Sequence, residues 1–330
     1  MMVTPSRKNM LTTSPDVSQV APTYACAPIP NSMQPFRFAQ YRQTFQACRH
    51  WRWLPWIGLD AFRIEKAVTR NNAHLITTRH HFYKIGIGST NTVRLEYNKY
   101  RQIALHCQEL TSHLPQVSFS TQCRRPVLQM KRIPQTDMTD IQHPQAARVL
   151  DILKRYSHPG IPADWEAFPY LQVGLQMTKS FLNATQQAKL GQVLTIASKH
   201  GSRVGPMYGD LHHENILSLS ADRFYLIDPT CFMLSGIQAY DALHYIAYWT
   251  WKSSGLDWSY WMDALTACHN SGWMAPGCEH ITRNFIDIDL GSAAVFYGTA
   301  RLGQLSISFG ESWKIPERQQ SGLSALIEQC

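Results

Sequence analysis

Between residues 62 and 85 apolar and polar positions alternate in short runs. Phe62-Arg63-Ile64-Glu65-Lys66-Ala67-Val68 leads through a turn-rich Thr69-Arg70-Asn71-Asn72 into Ala73-His74-Leu75-Ile76-Thr77-Thr78. Arg79-His80-His81 then joins that run to Phe82-Tyr83-Lys84-Ile85. Such runs with tight connections predict an antiparallel meander of three strands. Gly86 to Thr90 reads as a loop, and residues 94–110 as a helix whose stripe is Leu95, Tyr97 or Asn98, Ile103, Leu105 and Leu110. Val117-Ser118-Phe119 and Val127-Leu128-Gln129-Met130 predict two more strands, the second closed by Pro134.

Beyond residue 140 the pattern turns helical. Helices are predicted over 143–156, 184–200, 237–251, 258–269, 291–305 and 321–329, with Pro- and Gly-bearing loops at 157–163, 201–206 and 271–277. One short β-prone run, Phe224-Tyr225-Leu226-Ile227, interrupts them. A strand-rich first part and a helix-rich second part predict an α+β, two-lobed arrangement.

Composition narrows the class. The chain has 330 residues, 44% hydrophobic and 16% charged, which excludes a mainly disordered or collagen-like protein. The eight cysteines (Cys26, Cys48, Cys107, Cys123, Cys231, Cys268, Cys278, Cys330) show no C-x-x-C and no zinc spacing with histidine, so reduced thiols in a cytoplasmic protein are expected. No apolar run approaches the roughly 20 residues that span a bilayer. Residues 1–35 are rich in Ser, Thr, Pro and Asn, hold one acid, Asp16, and lack the apolar core of a secretory signal. They read as a disordered tail, with Met10 and Met33 as alternative starts. Residues 36–58 interleave Phe36, Tyr41, Trp51, Trp53 and Trp56 with Arg37, Arg42, Arg49 and Arg52. Rings packed on a neighbouring domain are the main expectation for this extension, with peripheral membrane contact or base stacking as lesser alternatives.

The net charge of +8 hides an asymmetry: 18 Lys+Arg against 5 Asp+Glu up to residue 135, and 13 against 18 after it. Nucleic acid, an anionic membrane or phosphates held between unlike halves all fit this split.

The chemistry concentrates in Tyr208-Gly209-Asp210-Leu211-His212-His213-Glu214-Asn215-Ile216-Leu217, followed by a β-prone run that ends in Asp228-Pro229. A carboxylate and an amide five residues apart on one loop can face a common point, and a second carboxylate follows at Asp228. Hard oxygen ligands shared with phosphate oxygens are what Mg²⁺ takes, and the remaining carboxylate can accept a hydroxyl proton. The competing reading is a plain turn with Asn215 as a helix cap.

This stretch resembles the aminoglycoside phosphotransferase and choline kinase-like branch of the protein-kinase-like fold, whose loop runs His-Gly-Asp-Leu-His-x-x-Asn before a strand ending in Asp. The resemblance covers about residues 60–305. It implies a small antiparallel β-sheet lobe with one helix over 59–133, binding nucleotide, and a larger, mostly helical lobe over 134–330 with the catalytic loop and acceptor site. It further implies Asp210 as catalytic base, His212 near the transferred phosphate, and Asn215 and Asp228 on Mg²⁺. Lys84 would grip the phosphates of ATP, or of GTP, with Glu96 orienting it. Asn72 would lie in the phosphate loop, Met130 at the base-binding hinge, and Asp241 under the catalytic loop. The activity implied is transfer of the γ-phosphate to a hydroxyl of a small molecule such as a sugar, amino sugar or amino alcohol, with no specific nucleic-acid partner.

Departures accompany the resemblance. Tyr208 stands where the loop usually opens on His. The Thr69–Asn72 turn holds no glycine, so side-chain donors would replace backbone at the phosphates. Pro229 follows the metal aspartate, which points to the small-molecule branch. A protein or lipopolysaccharide kinase and a nucleotide-binding pseudokinase are the alternatives. Aromatic residues crowd positions 245–273, with Asp241, Asp257 and Asp263 nearby. They read either as the core of the helical lobe or as a box for a cationic or sugar-like acceptor.

Overall fold

Five antiparallel strands make the first lobe of the computed structural model, which describes residues 53–70, 73–87, 92–133, 142–199, 202–220, 222–310 and 313–330. They are β1 (Ile64–Arg70), β2 (Ala73–Thr78), β3 (His81–Gly86), β4 (Val117–Gln122) and β5 (Arg125–Lys131), in the order β1-β2-β3-β5-β4. The register sets the site. Lys84 lies opposite Leu75 and Leu128, and Phe82 opposite Thr77 and Met130. Directly opposed residues, and those two apart, share a face, so Lys84, Phe82, Leu128 and Met130 sit on one side of the sheet.

Helix α2 (Thr92–His106) packs on that side, with Val93 and Tyr100 against Ala73 and Leu128, and the short α3 (Gln108–Thr111) follows it. Its buried stripe corrects the sequence reading. Val93, Glu96, Tyr100 and Ile103 face inward, whereas Leu95 and Leu105 are exposed, Leu105 by 71%. A glutamate in the inward row disguised the helical period, because that row carries an ion pair as well as core. The opposite face of the sheet is covered from upstream. Trp53, Ile57 and Ala61 pack on Ile76, Tyr83, Ile85 and Val127, through α1 (Leu54–Ile57) and a 3-10 stretch, Gly58–Arg63. Asp60 Oδ2 accepts the Tyr83 hydroxyl at 2.6 Å and lies 2.6 Å from His81 Nδ1. The described end of the extension, from Trp53 on, therefore packs on the sheet. The proposed tail 1–35 and most of the extension 36–58 lie outside the described residues.

The second lobe contains α4 (Gln142–Arg155), α5 (Pro162–Ala167), α6 (Pro169–Lys179), α7 (Ala184–Lys199), α8 (Ala239–Ser253), α9 (Trp261–Asn270), α10 (Glu279–Phe285), α11 (Leu290–Phe309) and α12 (Glu317–Gln329). Pro162 and Pro169 occupy helix starts, where a missing N–H costs nothing, so they begin α5 and α6, and the predicted loop 157–163 gives way to a helix at Pro162. The predicted loop 201–206 is largely a strand, β7 (Arg203–Met207), between β6 (His158–Pro159) and β10 (Met233–Ile237). Pro206 is tolerated there because it lies beyond the two-residue β6 and where the β7–β10 ladder shifts register. A hairpin of β8 (Ile216–Ser218) and β9 (Phe224–Leu226) follows the loop of interest.

Helix α11 is buried along Ser292–Leu305. It crosses α6 at backbone contact: a Cβ on Gly174 would lie 1.9 Å from Thr299 O, and one on Gly303 1.9 Å from Tyr170 O. Only glycine allows that approach. No described helix is long and apolar enough to cross a membrane.

Candidate active site

The loop after β7 is built on a buried carboxylate. Asp241, in the first turn of α8, accepts the backbone N–H groups of Tyr208 at 2.6 Å and Gly209 at 2.7 Å. Burial pushes its carboxyl up to about 7, against the pull of those two donors. Gly209 has φ +81°, and a Cβ there would lie 2.3 Å from Cys231 O, so the position requires glycine. Tyr208 is wholly buried and its hydroxyl donates to Ile227 O, tying the loop to the residue before Asp228. The tyrosine thus reaches across with a phenol where the motif usually has an imidazole.

Asp210 is held from several sides. Its Oδ1 lies 3.2 Å from Arg301 Nη1 and 3.1 Å from His244 Nε2, and its Oδ2 3.6 Å from His212 Nε2. The side chain keeps 27% exposure. Burial alone would raise its carboxyl; the imidazoles of His212 and His244 close to it and the charge of Arg301 outweigh that and hold it well below the usual carboxylate range. His212 stacks on Tyr248 with ring centroids 4.0 Å apart. Asn215 closes a 3-10 turn (His213–Asn215), and its Nδ2 donates to Asp210 O at 2.9 Å. That bond fixes the orientation of the amide.

The sheet side presents Lys84. Its Nζ lies 2.5 Å from Glu96 Oε2 and 3.6 Å from Asp228 Oδ1. Burial lowers the ammonium, but Asp228 and Glu96 outweigh it and the lysine is held above its ordinary value. Glu96 is pushed up to about 7, first by burial and then by Asp228. Asp228 adopts a left-handed backbone, φ 56° and ψ 57°, which a short polar side chain tolerates. Its N–H donates to the Tyr100 hydroxyl at 3.2 Å, and its Oδ1 accepts from Thr230 at 3.0 Å. Helix α2 therefore touches both Lys84, through Glu96, and Asp228, through Tyr100.

A cleft of about 1050 Å³ opens beside these groups, lined by Thr77, Phe82, Val117, Gln129–Ile133 from the sheet edge and Leu217 and Ile227 from below. Met130 is buried in its wall, and Ile227 adjoins Asp228. Asn72 lies outside the described residues.

The aromatic stretch is mainly core. Tyr245, Trp261 and Trp273 are buried within the helical lobe, while Tyr248 stands beside His212. Asp241 is committed to the loop, Asp263 pairs with Arg318, and Asp257 Oδ1 accepts the Ser259 N–H. Glu214, beside the loop, is bound by Lys252 at 2.8 Å and by the Tyr248 hydroxyl at 2.7 Å. Arg301, His244, Gln304 and Tyr100 escaped the sequence reading. One signal existed: Arg301 is the only charged residue of α11.

No protein-family model matches the chain, and no curated protein matches it. Solved structures do. A putative fructosamine-3-kinase from Haemophilus somnus is similar at 15% identity and a TM-score of 0.50, covering 81% of this chain and 91% of that one. A choline kinase from Streptococcus pneumoniae is similar at 10% identity and TM-score 0.48, over 81% and 93%. An aminoglycoside phosphotransferase from Alicyclobacillus acidocaldarius is similar at 13% and 0.42, over 81% and 89%. With its small antiparallel sheet, single long helix and larger helical part, the chain has the two-lobed, protein-kinase-like fold.

Proposed function

We propose that the protein is an ATP-dependent O-phosphotransferase whose acceptor is a hydroxyl of a small molecule: a sugar, amino sugar or amino alcohol. The reading is carried by one observation, the convergence of Lys84, Glu96 and Asp228 at the lower face of the sheet beside a loop that presents Asp210 and Asn215. In this reading the nucleotide base lies in the cleft walled by Met130, and Lys84 meets the phosphates. Asp210 accepts the proton of the acceptor hydroxyl as its oxygen bonds to the γ-phosphorus, and the bond to the β–γ bridging oxygen breaks to release ADP. Ionised and partly exposed, Asp210 suits that role. His212 stands beside the transferred group.

The donors fit Mg²⁺. Asp228 is 48% exposed and both its side-chain contacts fall on Oδ1, and the Asn215 amide is oriented by its bond to Asp210 O. When bound there, the ion neutralises phosphate charge. The chain's own part is to bind, orient and exclude water. The partner under this reading is the small acceptor, in the cytoplasm, without nucleic acid.

The test is a mass-shift screen of hydroxylated metabolites and aminoglycosides with Mg·ATP and Mg·GTP, with Asp210→Asn as control. Wild-type transfer that the variant loses supports the reading. Asp210→Asn transferring as fast as wild type would sink the assignment of the base. Nucleotide binding without transfer to any acceptor would favour a pseudokinase.

A further inference from the structure

We propose that Arg301 of α11 is a positioning residue for phosphate transfer: with His244 it anchors Oδ1 of Asp210, so that Oδ2 is the oxygen presented to the acceptor hydroxyl. The inference rests on the phosphotransferase reading of the same loop.

The carboxylate torsion of aspartate is soft and roughly two-fold, so a base on a loop rocks unless one oxygen is tied down. Here Oδ1 takes both close contacts, Arg301 Nη1 at 3.2 Å and His244 Nε2 at 3.1 Å, and Oδ2 has only His212 at 3.6 Å. The anchors are themselves fixed. The His244 ring is fully buried, with Nδ1 2.8 Å from the Tyr297 hydroxyl. Arg301 Nη1 also donates to Gln304 Oε1, which accepts the Tyr240 hydroxyl as well. Gln304 Nε2 donates to Gly209 O at 2.6 Å. Two residues one turn apart on α11 therefore hold the side chain of Asp210 and the backbone just before it. The placement of that helix is set by the glycine contact with α6, at Gly174 and Gly303.

Burial makes the arginine informative. A guanidinium only 8% exposed, in a helix with no other charge, is disfavoured over an apolar side chain of the same volume unless its contacts matter. Those contacts run to the reacting loop. Proton transfer needs the accepting oxygen within hydrogen-bond reach, and small misplacements are costly in rate.

Arg301→Met and Arg301→Lys test the role. For Arg301→Met, kcat should fall about a hundredfold while KM for ATP stays within about threefold. The melting-temperature rise with Mg·ATP should persist, because Lys84 and Asp228 are untouched. A crystal structure of the variant should show the Asp210 carboxylate turned or in two orientations. Arg301→Lys, which keeps the charge and loses the fork, should recover part of kcat, and it serves as the test if the methionine variant does not fold. A kcat within about threefold of wild type, or an unmoved Asp210, overturns the proposal. So does loss of nucleotide binding together with kcat, which would make the arginine merely structural. If wild type itself transfers no phosphate to any acceptor, the phosphotransferase reading fails separately, and the Asp210 orientation in the variant still decides whether Arg301 anchors it.

Discussion

Asp241→Asn separates what the buried carboxylate does for stability from what it does for the loop. The substitution keeps the shape but turns one oxygen into an NH₂, so the N–H of Tyr208 or Gly209 comes to face a donor. An unsatisfied buried donor costs ~1–3 kcal/mol. Against this, burial has pushed the wild-type carboxyl from 3.8 up to about 7, so at pH 8 the native state holds an anion that its surroundings disfavour. As pH falls, the native state binds the proton before the unfolded chain does, and wild type is stabilised by about 1.4 kcal/mol per pH unit below 7, until the unfolded group also protonates. Asparagine does not titrate. The stability gap between wild type and variant should therefore widen by about 1.4 kcal/mol between pH 8 and pH 6. Urea unfolding at the two pH values measures it. A gap equal at both would refute the argument, since the carboxylate would then titrate alike in the folded and unfolded chain. Phosphate transfer should drop about a hundredfold at either pH, because the loop loses a strut whatever the charge.

Lys84→Met should abolish the melting-temperature rise with Mg·ATP and destabilise the fold by about 3 kcal/mol at pH 8, less at pH 6 where Glu96 protonates; a full nucleotide shift in the variant would remove Lys84 from the phosphates. Stability as a whole should rise as pH falls from 8 to about 6.5, because Glu96 and Asp241, both near 7, take up protons in the native state first. Below that it should level or decline, since burial holds His213 and His244 down to about 4 while the unfolded chain protonates its histidines near 6.5. A urea-derived stability that falls steadily from pH 8 to 6.5 would contradict this assignment. Gly303→Ala should cost ~1–3 kcal/mol or more and slow transfer by tilting α11, with thermal melts and kcat as the readouts; a neutral effect would show that the α6 contact yields easily.

The residues of the candidate site were legible where one loop motif carries particular residue types at fixed separations in the chain. Asp210, Asn215 and Asp228 are spaced by a loop and a hairpin, so they could be found together. Lys84 and Glu96 were legible only in combination with that loop. The sheet was legible from alternation, whereas the inward row of α2 was misassigned because a glutamate sits in it. Pro162 and Pro206 fell in predicted loops; one begins a helix and the other sits in a strand at a register shift. Arg301 and His244 were out of reach for another reason. They come from helices far along the chain, and only the packing of α8 and α11 beneath the loop brings them to Asp210.

The cover on the outer face of the sheet bears on how little of the chain can stand alone. The resemblance covers about residues 60–305, yet Trp53 and Ile57 seal the side of the sheet turned away from the cleft. A fragment cut to the motif boundary would bare Ile76, Tyr83, Ile85 and Val127 as one continuous oily face on a twisted sheet, an adhesive surface toward its own copies. The smallest fragment able to remain dispersed in water is thus longer than the catalytic signature, and its upstream limit falls before Trp53. Expression trials and limited proteolysis should find that limit as an abrupt onset of aggregation.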